Sequence, residues 1–272
     1  MKRIIVSGAF DDLRFDDFRF LEEASKLGNV HVLLWSDAAV ESATGKGPKF
    51  PFAEREYFVR AIRYVASVES MAGDGNIDVP PQSTDVAAQV WAVRPSDDTP
   101  TKRQWAAGAG VEYRIITDSL DGAPPAPETP NNPQSARKKV LVTGSFDWFH
   151  SGHVRFFEEV SEIGDLYVVV GHDENIGLLK GPGHPLFPAA QRRYITGSIR
   201  FVKLALISTG NGWLDAEPEC RAIRPDIYAF NEDGDRPEKA RFCEQNGIEY
   251  RVLKRLPKAG LPRRQSTMLR GF

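Results

Sequence analysis

The chain has 272 residues, 26% of them charged and 41% hydrophobic, with a formal net charge of −2. That balance suits a globular protein with material for two ordinary domains, and it supplies no global basic field for nucleic acid or an anionic membrane. No apolar run reaches the ~18 residues of a membrane span, and two cysteines without metal-type spacing, Cys220 and Cys243, fit a reducing compartment, so a cytoplasmic location is expected.

The first element is a β-rich run, RIIVSG (3–8), followed by a turn and an amphipathic segment. The same order returns past the middle of the chain. VSGAFDDLRFDDFRFLEEASKLGNVHVLLWSD, from Val6, aligns without gaps on VTGSFDWFHSGHVRFFEEVSEIGDLYVVVGHD, from Val142. Gly8 matches Gly144, Phe10 matches Phe146, Asp11 matches Asp147 and Gly28 matches Gly164. Further on, AIRYV (61–65) matches SIRFV (198–202), and GVEYRII (110–116) matches GIEYRVL (247–253). Shared order over this length implies a duplicated domain. Between the copies, DGAPPAPETPNNPQSARKK is rich in proline and small polar residues; it cannot build a core and reads as an exposed linker. The expected division is a domain over 1–119, a linker over 120–137 and a second domain over 138–272.

The second copy continues from KVLVTG (139–144) into a helix with Phe156, Phe157, Val160 and Ile163 on one face and Gly164 at its C-cap. An apolar run, LYVVVG (166–171), precedes a helix over 189–199, and three more strands are expected at 201–207, 226–230 and 248–253. Alternating helices and continuous apolar strands predict an α/β fold, a parallel sheet with helices on both faces. Ligands of such sheets bind beyond the carboxyl ends of the strands. The turn GSFDWFHSGH (144–153) leaves the first of those ends. A helix starting near Ser151 offers unpaired N–H groups to phosphates, and Gly152 leaves room for close approach. His150 and His153 can donate hydrogen bonds to a phosphoryl group as charge builds on it. No P-loop is present, and no third or fourth ligand accompanies the histidines, so no protein metal site is expected.

TGSFDWFHSGH (143–153) resembles the signature of the HxGH nucleotidylyltransferase superfamily, nearest to its cytidylyltransferase branch, and the resemblance covers nearly all of 138–270 and more weakly 1–117. It implies two tandem Rossmann-like domains and a cytidylyltransferase that moves CMP from CTP to a small phosphorylated alcohol or sugar, with Mg²⁺ assisting and pyrophosphate leaving. The alternatives are an adenylyltransferase using ATP, and a nucleotide-binding protein without turnover. On the same resemblance, Gly144, Ser145, Phe146, Asp147 and Gly152 would surround the nucleotide phosphates, and His150 and His153 would stabilise the α-phosphate. Lys180 falls near the family's phosphate-binding lysine, and Arg192 and Arg200 match basic positions that face phosphate. RRQSTML (263–269) stands where the family carries an arginine and an ISTT motif; Ser266 and Thr267 match it directly, and Arg263 or Arg264 replaces the arginine, whose gap-free position is Leu261. In NEDGD (231–235), Asn231 replaces a family glycine and Asp233 falls near the nucleoside. Trp213 matches a family tryptophan near the substrate loop.

Aligned on His150-Ser151-Gly152-His153 in the first copy are Arg14, Phe15, Asp16 and Asp17. A carboxylate there repels phosphate, so the first copy reads as an inert scaffold. The tandem is expected to be a monomer with an internal pseudo-dimer, or a homodimer, whose partners are CTP or ATP and a phosphomonoester.

Overall fold

Short runs of β-branched and aliphatic residues form the strands in both copies, and the strands pair in parallel. A computed structural model describes residues 1–71, 77–80, 89–117, 122–125 and 135–269. The chain divides into two units, Met1–Asp121 and Gly122–Phe272. Most of the expected linker lies outside the described residues.

The first unit runs β1 (Arg3–Gly8), α1 (Phe15–Ser25), β2 (Asn29–Trp35), α2 (Asp37–Thr44), α3 (Phe52–Ala61), β3 (Val65–Met71), β4 (Val90–Val93), α4 (Pro100–Ala109) and β5 (Glu112–Ile115). The second repeats the order: β6 (Lys139–Gly144), α5 (Ser151–Ile163), β7 (Asp165–Val170), α6 (Asp173–Lys180), α7 (Ala189–Gly197), β8 (Val202–Ile207), α8 (Glu217–Ile223), β9 (Ile227–Asn231), α9 (Pro237–Asn246) and β10 (Glu249–Leu253), with one helix, α8, that has no counterpart among the described residues of the first. The sheet orders are β3-β2-β1-β4-β5 and β10-β9-β6-β7-β8. In each, the chain builds outward from the central strand in one direction and then returns to build the other side. That reversal opens a crevice between the carboxyl ends of the two strands concerned, β6 and β9 in the second unit. The two tandem α/β domains read from the sequence are therefore present, with one topology.

The second sheet buries both faces. Leu141, Tyr167, Val169, Tyr228 and Phe230 pack against Cys220 and Ile223 of α8 and Phe242 and Cys243 of α9. Val140, Val142 and Val168, fully buried, alternate to the other face. There α5 crosses: a Cβ on Gly164, at its end, would lie 2.8 Å from the Val140 side chain. That same Cβ would lie 2.2 Å from the Lys138 carbonyl oxygen. Gly164 caps α5, as the sequence leads one to expect, in extended conformation (φ −176°), so its glycine serves this close approach. No helix among the described residues is long and apolar enough to cross a membrane.

Candidate active site at the strand ends

Beyond Gly144 the backbone turns sharply. Phe146 takes φ of 47°, which folds its ring back over Gly144, where a Cβ would come within 2.9 Å of it. The first copy makes the same turn at Phe10 (φ 45°). The ring then packs edge-on against Phe157 and His153. This places α5 with its N-terminus at the crevice.

The two histidines close that N-terminus reciprocally. His150 Nδ1 accepts from the Gly152 N–H (3.1 Å), and His153 Nδ1 accepts from the His150 N–H (3.3 Å). The arrangement is a capping box with imidazoles in place of the usual hydroxyl and carboxyl groups. Because both Nδ1 atoms accept, both neutral rings carry their proton on Nε2. The rings stack at 4.0 Å, so the two donors stand side by side. His150 Nε2 is buried and has no partner among the described residues. A Cβ on Gly152 would meet the His150 ring at 2.9 Å, so glycine here admits the imidazole.

Burial, reinforced by Arg255 and Arg264, pushes the His150 imidazolium down to about 3. Burial, then His150, Arg255 and Lys180, lowers His153 as well. Both rings are neutral donors at pH 7. The unfolded chain binds protons at these residues below their ordinary value of 6.5, while the folded chain resists them. Stability of the second unit is therefore full above pH 6.5 and declines as pH falls toward 3, by about 1.4 kcal/mol per pH unit for His150. Denaturation midpoints between pH 7.5 and 5 check this; a flat profile contradicts it.

Beside His153 lies a cavity of about 480 Å³ lined by Gly144, Ser145, Phe146, His153, Lys180, Asp233, Arg255 and Ser266, among others. Lys180 Nζ donates to Ser145 Oγ at 2.7 Å. Ser266 opens a 3₁₀ turn (Ser266–Leu269) and donates to the Trp148 carbonyl at 3.2 Å. Thr267 shares that turn; its side chain lies outside the described residues. Arg264 lies beside Gly152, its carbonyl 3.5 Å from a Cβ built there. Trp213 is 44% exposed and lines the cavity, so it is no core residue.

Four expected site residues do other work. Arg192, 1% exposed, donates to the carbonyls of Phe187, Ser145 and Gly171 and pairs with Asp173 at 2.7 Å. It clamps the carboxyl ends of β6 and β7 from beneath and does not face the cavity. Asp147 is likewise buried, accepting from the N–H groups of Leu186 and Phe187. The first copy repeats both devices without the histidines. Arg55 donates to Phe50, Ala9 and Trp35 carbonyls and to Asp37, and Asp11 accepts from Lys49 and Phe50. Arg200 precedes β8, at the amino ends of the strands, roughly 20 Å from the crevice at ~3.3 Å per residue. Arg263 points outward, 55% exposed, and pairs with Glu232 at 3.5 Å.

Arg255 joins the site although it is not singled out in the sequence. It stands two residues past β10, pairs with Asp233 and lies close enough to depress both histidines.

In the first unit the capping geometry survives and the chemistry does not. Asp17 accepts from the Arg14 N–H at 2.6 Å, as His153 does from His150, and its other oxygen pairs with Arg94 at 2.6 Å. An ion pair thus fills the position of the Nε2 donors.

Residues 141–207 match the family model described as cytidylyltransferase-like. FAD synthase from Thermococcus kodakarensis is 40% identical over 103 residues, 37% of this chain and 67% of that protein. FAD synthase from Pyrococcus horikoshii is 35% identical over 123 residues, 44% of this chain and 80% of that protein. With FAD synthase from Ferroglobus placidus the identity is 36% over 97 residues; the match takes 35% of this chain and spans only 60% of that relative's length. The lipopolysaccharide core biosynthesis protein from Thermoplasma volcanium GSS1 has a similar structure, with a TM-score of 0.38 and 22% identity over 45% of this chain and 98% of that one.

Proposed function

The chain belongs to the HxGH nucleotidylyltransferase superfamily, and from that premise we propose that its second unit transfers a nucleotidyl group from a nucleoside triphosphate to a phosphomonoester. The observation that carries this reading is the stacked pair of neutral imidazoles, both Nδ1 atoms held by backbone N–H groups so that each ring keeps an Nε2–H donor. An oxygen of the acceptor phosphate bonds to the α-phosphorus as the bond to the bridging oxygen breaks, and pyrophosphate leaves in line. The acceptor phosphate is largely dianionic at pH 7, so no general base is needed. The Nε2–H groups bind the α-phosphoryl oxygens more strongly as charge develops there. Lys180 and Arg255 supply positive charge for the leaving pyrophosphate. Among the described residues no three His, Cys, Asp or Glu side chains come together to hold a metal; Mg²⁺ would accordingly enter bound to the triphosphate and help neutralise it.

ATP is the favoured donor. The relatives are named FAD synthase, and FAD is a flavin phosphate joined to an adenylyl group through a phosphoanhydride. CTP is the second reading, supported by the description of the family model. Pyrophosphate release from ATP and CTP, with flavin mononucleotide, glycerol phosphate and sugar phosphates as acceptors, separates them. Acceptor-dependent release with ATP is expected. Release with CTP alone would reverse the order, and no release with any nucleoside triphosphate would overturn the proposal.

A further inference from the structure

A buried lysine in the crevice has no role in the chemistry above. Lys239, the third residue of α9, is 8% exposed and lines the cavity. Its Nζ reaches Thr143 Oγ1 only at 3.5 Å and lies 4.6 Å from the centre of the Phe230 ring. Thr143 Oγ1 already accepts a shorter bond, 3.0 Å, from the Tyr228 hydroxyl. Among the described residues Nζ makes no ion pair with a carboxylate. Asp215 acts on it only from beyond ion-pair distance, and an ammonium so weakly compensated in a buried place is unfavourable unless something anionic joins it.

The repeat sharpens the point. Lys102 holds the same place in α4 of the first unit and is 3% exposed. There Nζ donates to the Asp97 carbonyl at 2.7 Å and pairs with Asp78 at 3.5 Å. The copy with Arg14 and Asp17 in place of the two capping histidines neutralises its lysine with a contacting carboxylate; the copy with His150 and His153 leaves its lysine facing the cavity.

Position says which anion. His150 and His153 rise from α5 on one face of the sheet. Lys239 rises from α9 on the other, beside Asp215 and the Trp213 indole on which Arg236 stacks at 4.6 Å. In-line transfer needs nucleophile and leaving group on opposite sides of the α-phosphorus. With the donor phosphates at the α5 N-terminus, the attacking phosphate arrives over α9. We propose that Lys239 receives the phosphate of the acceptor and aims it at the donor, an inference that rests on the nucleotidyl-transfer reading above. Burial, opposed by Asp215, reinforced by Arg236 and offset by Cys243, pulls the Lys239 amine down to about 8, so it is mostly protonated at neutral pH.

Lys239→Met in the full chain tests this. The acceptor KM is expected to rise at least ~30-fold, with triphosphate Kd changed less than ~3-fold. Tm should hold or rise, because an uncompensated buried charge is removed; a structural lysine would give a lower Tm instead. In the wild type, acceptor KM should climb above about pH 8 as Lys239 loses its proton, while triphosphate binding stays level. That profile needs no variant to fold. An unchanged acceptor KM, a triphosphate Kd weakened as much as the acceptor KM, or an acceptor KM flat from pH 7 to 9.5 would each overturn the assignment. Orthophosphate titrated into wild type and Lys239→Met separates the two readings. Binding to the wild type alone, in a protein that releases no pyrophosphate, would uphold the Lys239 site and remove nucleotidyl transfer. Pyrophosphate release with equal orthophosphate binding in both proteins would do the reverse.

Discussion

His153→Ala is expected to lower kcat by about 10²–10³-fold, or ~2.7–4 kcal/mol of transition-state stabilisation, while nucleotide binding stays nearly level. The imidazole is neutral and its Nε2–H bond to the phosphoryl oxygen strengthens only as charge develops, so the loss falls on kcat. Stability changes by about 1 kcal/mol, since the His150 N–H loses its cap. His153→Asp separates the two roles. It reproduces Asp17 of the first copy, which keeps the cap with a carboxylate, and is expected to restore stability without restoring turnover. Steady-state kinetics and a thermal scan on the same preparations check both. A kcat within threefold of wild type in His153→Ala would remove the histidine from the chemistry.

Arg192→Ala is expected to destabilise the second unit by about 3–5 kcal/mol, and Arg55→Ala the first unit by a similar amount. Each guanidinium is almost wholly buried and holds three backbone carbonyls and one aspartate. Removing it leaves those carbonyls without donors and the strand ends without their clamp. The paired measurement is decisive because only the second copy carries the capping histidines His150 and His153. Equal losses in midpoint, read by hydrogen exchange within each unit, would fix the arginine as architecture. A variant Arg192→Ala with wild-type stability and a raised triphosphate KM would return it to the binding site.

The sheet was legible in the sequence because its strands are apolar runs bounded by glycine and polar turns, and because the repeat shows each of them twice. KVLVTG and LYVVVG became β6 and β7 nearly as read. Helices α6, α8 and α9 are not read from the sequence; the first two, eight and seven residues long, are too short to display a helical period. At the site, the histidines were legible because the motif is contiguous. Arg192 and Arg200 were not correctly placed, because a basic residue in an alignment does not say which way its side chain turns. Arg192 turned into the protein to satisfy carbonyls at the strand ends, and Arg200 fell at the wrong end of a strand. Lys239 was hidden for a different reason. Its significance lies in what it lacks, a carboxylate that Lys102 has, and only the folded chain displays such a difference. The repeat held the hint, with PTK in one copy and PEK in the other.

On the function proposed above, one crevice, in the second unit, binds the nucleotide, while the ion pair of Asp17 with Arg94 closes its counterpart. Calorimetric titration of the full chain with ATP and with CTP, each with Mg²⁺, tests it most directly. A single site per chain with a preference for ATP is the predicted result. Two sites per chain would contradict the closure of the first copy, and binding of neither nucleotide would contradict the whole account of the histidine crevice.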